Sequence, residues 1–129
     1  MTLVLLIVED ELPLLEAIIL KARSQGFEPV SARSVNEAKE MLNNIPSIDA
    51  VWVDHFLPEA NGIELVKYMK HDQRFKNIPI FLVSNVVEPD IVNDYMKSGI
   101  AGYYTKVLIS LQDTMRDIKS RLDARKYQS

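Results

Sequence analysis

Leu3-Val4-Leu5-Leu6-Ile7-Val8-Glu9-Asp10-Glu11 is an apolar run of six residues that stops on three consecutive carboxylates. A run with no polar alternation reads as a strand covered on both faces, the condition of a strand inside a parallel sheet. The period then changes: Leu14, Leu15, Ile18, Ile19 and Ala22 recur at helical spacing until Gly26, a residue suited to end a helix. A buried strand followed directly by an amphipathic helix is the start of a crossover unit, and the rest of the chain repeats it.

Glu28 to Ala32 reads as a short second strand whose Pro29 cannot donate to a ladder, which places it at a sheet edge. Ser34 and Glu37 have the spacing of a capping box for a helix carrying Val35, Ala38, Met41 and Leu42, ending near Asn43-Asn44. Ile48 to Val53 is a third strand, with Trp52 as a packing residue. A loop closing on Asn61-Gly62 leads to a helix that turns Ile63, Leu65, Val66 and Met69 inward. Ile78 to Val83 is a fourth strand entered through Pro79. Pro89-Asp90 opens a fourth helix with Ile91, Val92, Tyr95 and Met96, closed by Ser98-Gly99. Ala101 to Lys106 is a fifth strand. The last helix docks through Leu111, Met115, Ile118 and Leu122 and leaves Arg116, Lys119, Arg121 and Arg125 in solvent; Lys126 to Ser129 read as a frayed end.

Strict alternation of strand and helix predicts right-handed crossovers and a five-stranded parallel sheet with helices on both faces, a doubly wound α/β fold. At 129 residues the expectation is one domain over 1–129 with a core from about residue 3 to residue 124.

Composition removes several classes of function. Fifteen Lys and Arg against eighteen Asp and Glu give a net charge of −3, the wrong sign for coating nucleic acid or an anionic membrane. The basic side chains of the last helix are offset by Asp113, Asp117 and Asp123. With no cysteine there is neither a disulfide framework nor a thiolate metal site. The first apolar run is too short for a signal peptide or a membrane span, so a cytoplasmic location is expected. Four glycines leave no Gly-rich phosphate loop for a dinucleotide or flavin. His55 and His71 do not form a metal pair and are expected to be solvated or locally bonded.

In an open parallel sheet, ligands bind outside the carboxyl ends of the strands. Those ends carry Glu9-Asp10, Asp54, Ser84-Asn85 and Thr105-Lys106. Three carboxylates on one rim repel one another, and a hard divalent cation, best Mg2+, relieves the repulsion. Add an ammonium and a hydroxyl, and the rim suits a phosphoryl group, with Asp54 as the nucleophile that forms an acyl phosphate.

Val8-Glu9-Asp10-Glu11, the segment Val53-Asp54-His55-Phe56-Leu57-Pro58-Glu59-Ala60-Asn61-Gly62, Val83-Ser84 and Gly102-Tyr103-Tyr104-Thr105-Lys106 together resemble the receiver domain of two-component response regulators. The resemblance runs from Leu3 through the last helix. It implies a flavodoxin-like strand order 2-1-3-4-5, which agrees with Pro29 at an edge. It further implies Asp54 as phosphoacceptor, and Mg2+ held by Glu9, Asp10, Asp54 and the backbone carbonyl of Phe56. Lys106 and Ser84 would each bond a phosphoryl oxygen, and Tyr103 would be an aromatic switch that turns inward when Ser84 moves. The implied donor is a phosphohistidine on a histidine kinase or histidine phosphotransfer protein of a phosphorelay. The implied output is a protein partner at the face of helix four, strand five and helix five, from a monomer or weak dimer, with no direct contact to nucleic acid or membrane. Such a chain is a switch, not a turnover enzyme, and its output lies in another protein or in a longer chain.

Two positions depart from the family pattern. Val107 stands where a proline usually follows the lysine, so the bond before it is expected to be trans and the loop to take its own path. Phe56, two residues past Asp54, is bulky and apolar, and is expected to shield the acyl phosphate from water. Both positions lend support to the alternative reading, a receiver-like interaction module that does not use phosphorylation, whereas Asp10, Asp54, Ser84 and Lys106 argue against it. A phosphatase built on Asp-x-Asp is excluded by Glu9-Asp10-Glu11.

Overall fold

In the computed structural model, which describes residues 2–125, each apolar run becomes a strand and each amphipathic stretch a helix. In chain order these are β1 (Val4–Val8), α1 (Leu12–Ser24), β2 (Glu28–Ala32), α2 (Val35–Asn44) and β3 (Ala50–Val53), then α3 (Gly62–Lys70), β4 (Ile80–Ser84), α4 (Pro89–Lys97), β5 (Gly102–Thr105) and α5 (Leu111–Arg125). The five strands form one parallel sheet in the order β2-β1-β3-β4-β5, as the flavodoxin-like expectation required. β2 with Pro29 is an edge strand, paired to β1 alone.

Side chains alternate across the sheet and divide the core in two. Leu6, Val8, Val51, Val53, Ile80 and Leu82 face one side, where Ala38 and Leu42 of α2, Leu65, Val66 and Met69 of α3, and Tyr95 of α4 cover them. Leu5, Ile7, Trp52 and Phe81 face the other, under Leu15, Ile18 and Ala22 of α1 and Met115, Ile118 and Leu122 of α5. Because both faces are covered, β1, β3 and β4 are buried at every position, which is why their runs show no polar alternation. Trp52 is the packing residue expected of it, and its buried Nε1–H has no partner among the described residues.

The differences from the sequence reading lie at element ends. β4 starts at Ile80 rather than Ile78, since Pro79 has no N–H for the ladder, although its carbonyl accepts from Val51 N at 3.0 Å. β5 is Gly102–Thr105, one residue shorter at each end than expected. On α4, Tyr95 is buried but Met96 is 51% exposed and belongs to the outer face. Lys126 to Ser129 lie outside the described residues.

Ser34 caps α2 as its spacing predicts, its hydroxyl accepting from the Glu37 N–H at 3.1 Å. Replacing Ser34 with Ala removes that acceptor and is expected to cost about 1 kcal/mol of folding stability. A urea titration that finds the Ser34→Ala midpoint unchanged would refute the role of this cap.

Candidate functional site

The rim at the carboxyl ends is placed by backbone hydrogen bonds that continue the ladder one residue past the strands. Glu9 N–H donates to Ala32 O at 3.0 Å, Asp54 N–H to Val8 O at 3.2 Å, and Lys106 N–H to Ser84 O at 3.2 Å. The first polar residue after each strand is therefore registered almost as firmly as the strand itself.

Three of these residues meet through their side chains. The Lys106 ammonium lies 2.7 Å from Glu9 Oε1 and 2.8 Å from Asp54 Oδ2. The Glu9 and Asp54 side chains are only 3% and 7% exposed, and that of Lys106 21%. Burial works against the charged lysine, but its hydrogen bonds to Asp54 and Glu9 outweigh that and hold it above the ordinary lysine value. Its contribution to stability is thus complete at neutral pH and is lost only as the pH rises through that elevated value. Glu9 is fixed further by Glu11 N–H, which donates to Oε2 at 3.1 Å, while Asp54 Oδ1 receives only a long contact of 3.4 Å from Phe56 N. Of the two buried carboxylates, Asp54 therefore has the less engaged second oxygen.

Asp10 does not join them. It is exposed, and its carbonyl, not its carboxylate, accepts from the Arg33 guanidinium at 2.9 and 3.3 Å. Among the described residues, no three carboxylate or histidine side chains converge as a metal cluster. The rim still suits a hard divalent cation by its donor chemistry. It offers carboxylate and carbonyl oxygens, and one ammonium stands against the two buried carboxylates and the exposed Asp10 beside them.

Ser84 and Tyr103 meet at a single residue. Val86 N–H donates to Ser84 Oγ at 3.3 Å, and the Val86 carbonyl accepts from the Tyr103 hydroxyl. Tyr103 is half-buried and packs against the core cluster that includes Tyr95. The β5–α5 loop is tied to the same region: Val107 N–H donates to Asn85 Oδ1 at 3.0 Å, a bond that proline cannot make. The described residues contain no cis peptide, and Lys106 reaches both carboxylates with Val107 in the place of proline.

The β3–α3 loop is shaped by its backbone. Ala60 N–H donates to Pro58 O at 2.8 Å across Glu59, whose φ of 69° matches the centre of a γ-turn. Gly62 N–H then donates to His55 O at 2.9 Å. A Cβ on Gly62 would stand 2.3 Å from the Asp54 carbonyl oxygen and 2.9 Å from the Tyr95 hydroxyl, so only glycine lets α3 start this close to Asp54.

His55 corrects the sequence reading. It is neither solvated nor locally bonded: it is 5% exposed, and its Nδ1 lies 2.7 Å from the hydroxyl of Tyr95 on α4. Burial holds it below the ordinary histidine value, partly opposed by the charges of Asp54 and Glu88, and burial raises the Tyr95 phenol. A histidine beside an acidic residue and a tyrosine in a helical stripe give no signal of each other across forty residues. His71 is exposed, with Nδ1 2.7 Å from Lys67 O, as expected of it. Phe56 is 54% exposed and stands edge-on to His55, with ring centroids 5.0 Å apart.

Lys106→Met keeps the stem and removes the charge that Glu9 and Asp54 share. Stranding two buried carboxylates is expected to cost about 3 kcal/mol at pH 7 by urea unfolding. The loss should shrink as the pH falls, because protonating either carboxylate relieves their repulsion. A loss that is small, or that does not depend on pH, would contradict the shared ion pair.

Comparison with known proteins agrees with this geometry. The family model "Response regulator receiver domain" matches residues 5–118. The phosphate regulon transcriptional regulatory protein PhoB of Escherichia coli (strain K12) is 30% identical over 102 residues, covering 79% of this chain and 44% of PhoB. The chain spans about half the length of PhoB relatives of this kind. Among solved structures, a CheY-like receiver domain protein from Methanospirillum hungatei JF-1 superposes with a TM-score of 0.90 at 19% identity, over 100% of both chains. A response regulator receiver protein from Pseudomonas putida does so with a TM-score of 0.86 at 22% identity, over 93% of this chain and 98% of that one. Fold, rim and matched residues lead to one assignment: the chain belongs to the response regulator receiver domain family.

Proposed function

We propose that Asp54 accepts a phosphoryl group from a phosphohistidine of a histidine kinase or histidine phosphotransfer protein, and that residues 1–129 act as one receiver unit. Receiver domains are phosphoaccepting switches rather than catalysts acting on external substrates, and their transfer uses Mg2+. The observation that carries the reading is the Lys106 ammonium held between Glu9 and Asp54, a preorganised positive charge where a phosphoryl group must arrive.

In this reading an Asp54 oxygen attacks phosphorus, the P–N bond to the donor histidine breaks, and an acyl phosphate forms. Lys106 then turns from carboxylate to phosphoryl oxygen, and Ser84 donates its hydroxyl proton to another. Mg2+ would be held by Glu9, Asp10, Asp54 and the Phe56 carbonyl, and when bound it supplies neutralisation of charge on the transferring group. Asp10 has to turn inward for this, and its exposed carboxylate has the freedom to do so.

The donor must cover the rim to bring its histidine in line. The rim exposes Leu12 at the start of α1 and Phe56, Val87, Val107 and Leu108 in its loops, the last two 75% and 80% exposed, which suits an apolar docking face around a charged centre. Output is proposed at the surface of α4, β5 and α5. Its support is the clasp of Tyr103 on Val86, which ties β5 to the segment leading into α4.

Incubation with acetyl phosphate and Mg2+, read by intact mass, should give a single phosphoryl adduct that disappears without Mg2+ and in Asp54→Ala. No adduct, together with failure to bind a beryllofluoride mimic, would instead favour the phosphorylation-independent module. Phe56→Asn replaces an apolar ring beside the acceptor with an amide that can orient water, and should shorten the lifetime of the adduct several-fold. Decay no faster than in the parent would count against shielding by Phe56.

A further inference from the structure

The hydrogen bond between His55 and Tyr95 is unused by the phosphoryl chemistry, yet it joins the residue next to the acceptor to the last turn of α4. Tyr95 is fully buried and His55 nearly so, and 2.7 Å separates their polar atoms. The rings meet edge to face, with centroids 5.6 Å apart. The Tyr95 hydroxyl also sits against the start of α3, where the missing side chain of Gly62 makes room for it. Three pieces therefore close on one phenolic oxygen: the β3–α3 loop, the N-terminus of α3 and the body of α4.

His55 lies between Asp54 and Phe56, so its ring orientation and the backbone of the acceptor loop are set together. The Gly62 N–H bond to the His55 carbonyl pins that backbone from the other side. A change in charge or geometry at Asp54 that moves this loop must either drag Tyr95 with it or break a buried hydrogen bond, and a buried polar group without a partner is strongly disfavoured.

We propose that the His55–Tyr95 pair is a positioning device that transmits the phosphorylation state of Asp54 to α4, in parallel with the Ser84–Val86–Tyr103 connection. The proposal rests on the reading of Asp54 as phosphoacceptor. The two connections reach α4 at different points: Val86 lies three residues before its first residue, Pro89, whereas Tyr95 is on its buried face.

The test uses the full chain labelled with 15N, with backbone amide spectra recorded before and after beryllofluoride and Mg2+. In the parent, amides of the β3–α3 loop and of α4 should both shift. Tyr95→Phe removes only the hydroxyl: the loop should still respond, while the displacements of Ile91 to Met96 fall at least twofold. The double variant His55→Leu/Tyr95→Phe removes both members of the pair, so neither is left facing the place of the other. It should recover thermal stability relative to Tyr95→Phe without recovering the α4 response, an outcome that a purely structural role does not produce. An α4 response equal to the parent's in either variant that binds the mimic overturns the proposal. Failure of the parent itself to bind beryllofluoride overturns the phosphoacceptor reading instead.

Discussion

One ammonium shared by two buried carboxylates is the constraint on which the rim depends. Glu9 and Asp54 follow adjacent strands, β1 and β3, so the fold forces them together, and neither has water enough to disperse its charge. The compensating cation comes from the other end of the sheet. Lys106 follows β5, and β4 lies between it and Asp54; strands are spaced about 4.8 Å apart, so roughly 10 Å of sheet must be crossed. A long, flexible stem with a compact charge at its tip spans that gap, and the stem packs where the tip alone carries charge. Removing Lys106 therefore does more than delete a contact, since it strands charge at the joint of two central strands.

The fold was legible because its signals are redundant. Each buried strand announces itself as an apolar run, each helix as a stripe, and Pro29 marks the edge that the sheet order confirms. The rim residues were legible for a related reason, being the polar residues that end apolar runs at the carboxyl edge of the sheet. Which of Glu9 and Asp10 turns inward was not legible, because strand alternation stops where the strand stops. In the structure Glu9 takes the ladder bond to Ala32 and goes in, and Asp10 goes out.

The pair His55–Tyr95 was illegible on different grounds. Tyr95 falls in the helical stripe of α4 and is buried like any core residue there, while its hydroxyl needs a partner that no period in the sequence identifies. The partner is found only when the sheet brings the β3–α3 loop under α4. Buried hydrogen bonds between distant segments depend on tertiary geometry alone, and they are where pattern reading stops. The same holds for Val86, which offers its N–H to Ser84 and its carbonyl to Tyr103 without any side-chain signature.

Val107 illustrates how a departure from a family pattern acquires physical meaning. Proline would fix its own φ and offer no donor; valine leaves an N–H, and the structure spends it on Asn85. The loop that carries Lys106 is thus tethered to the residue after Ser84, from the Val107 N–H to the Asn85 side chain and independently of Tyr103. Lys106 and Ser84, at the ends of the neighbouring strands β5 and β4, are joined as well by the Lys106 N–H bond to the Ser84 carbonyl. With valine in the place of proline the lysine still reaches Glu9 and Asp54, and its loop gains a hydrogen bond that proline could not make.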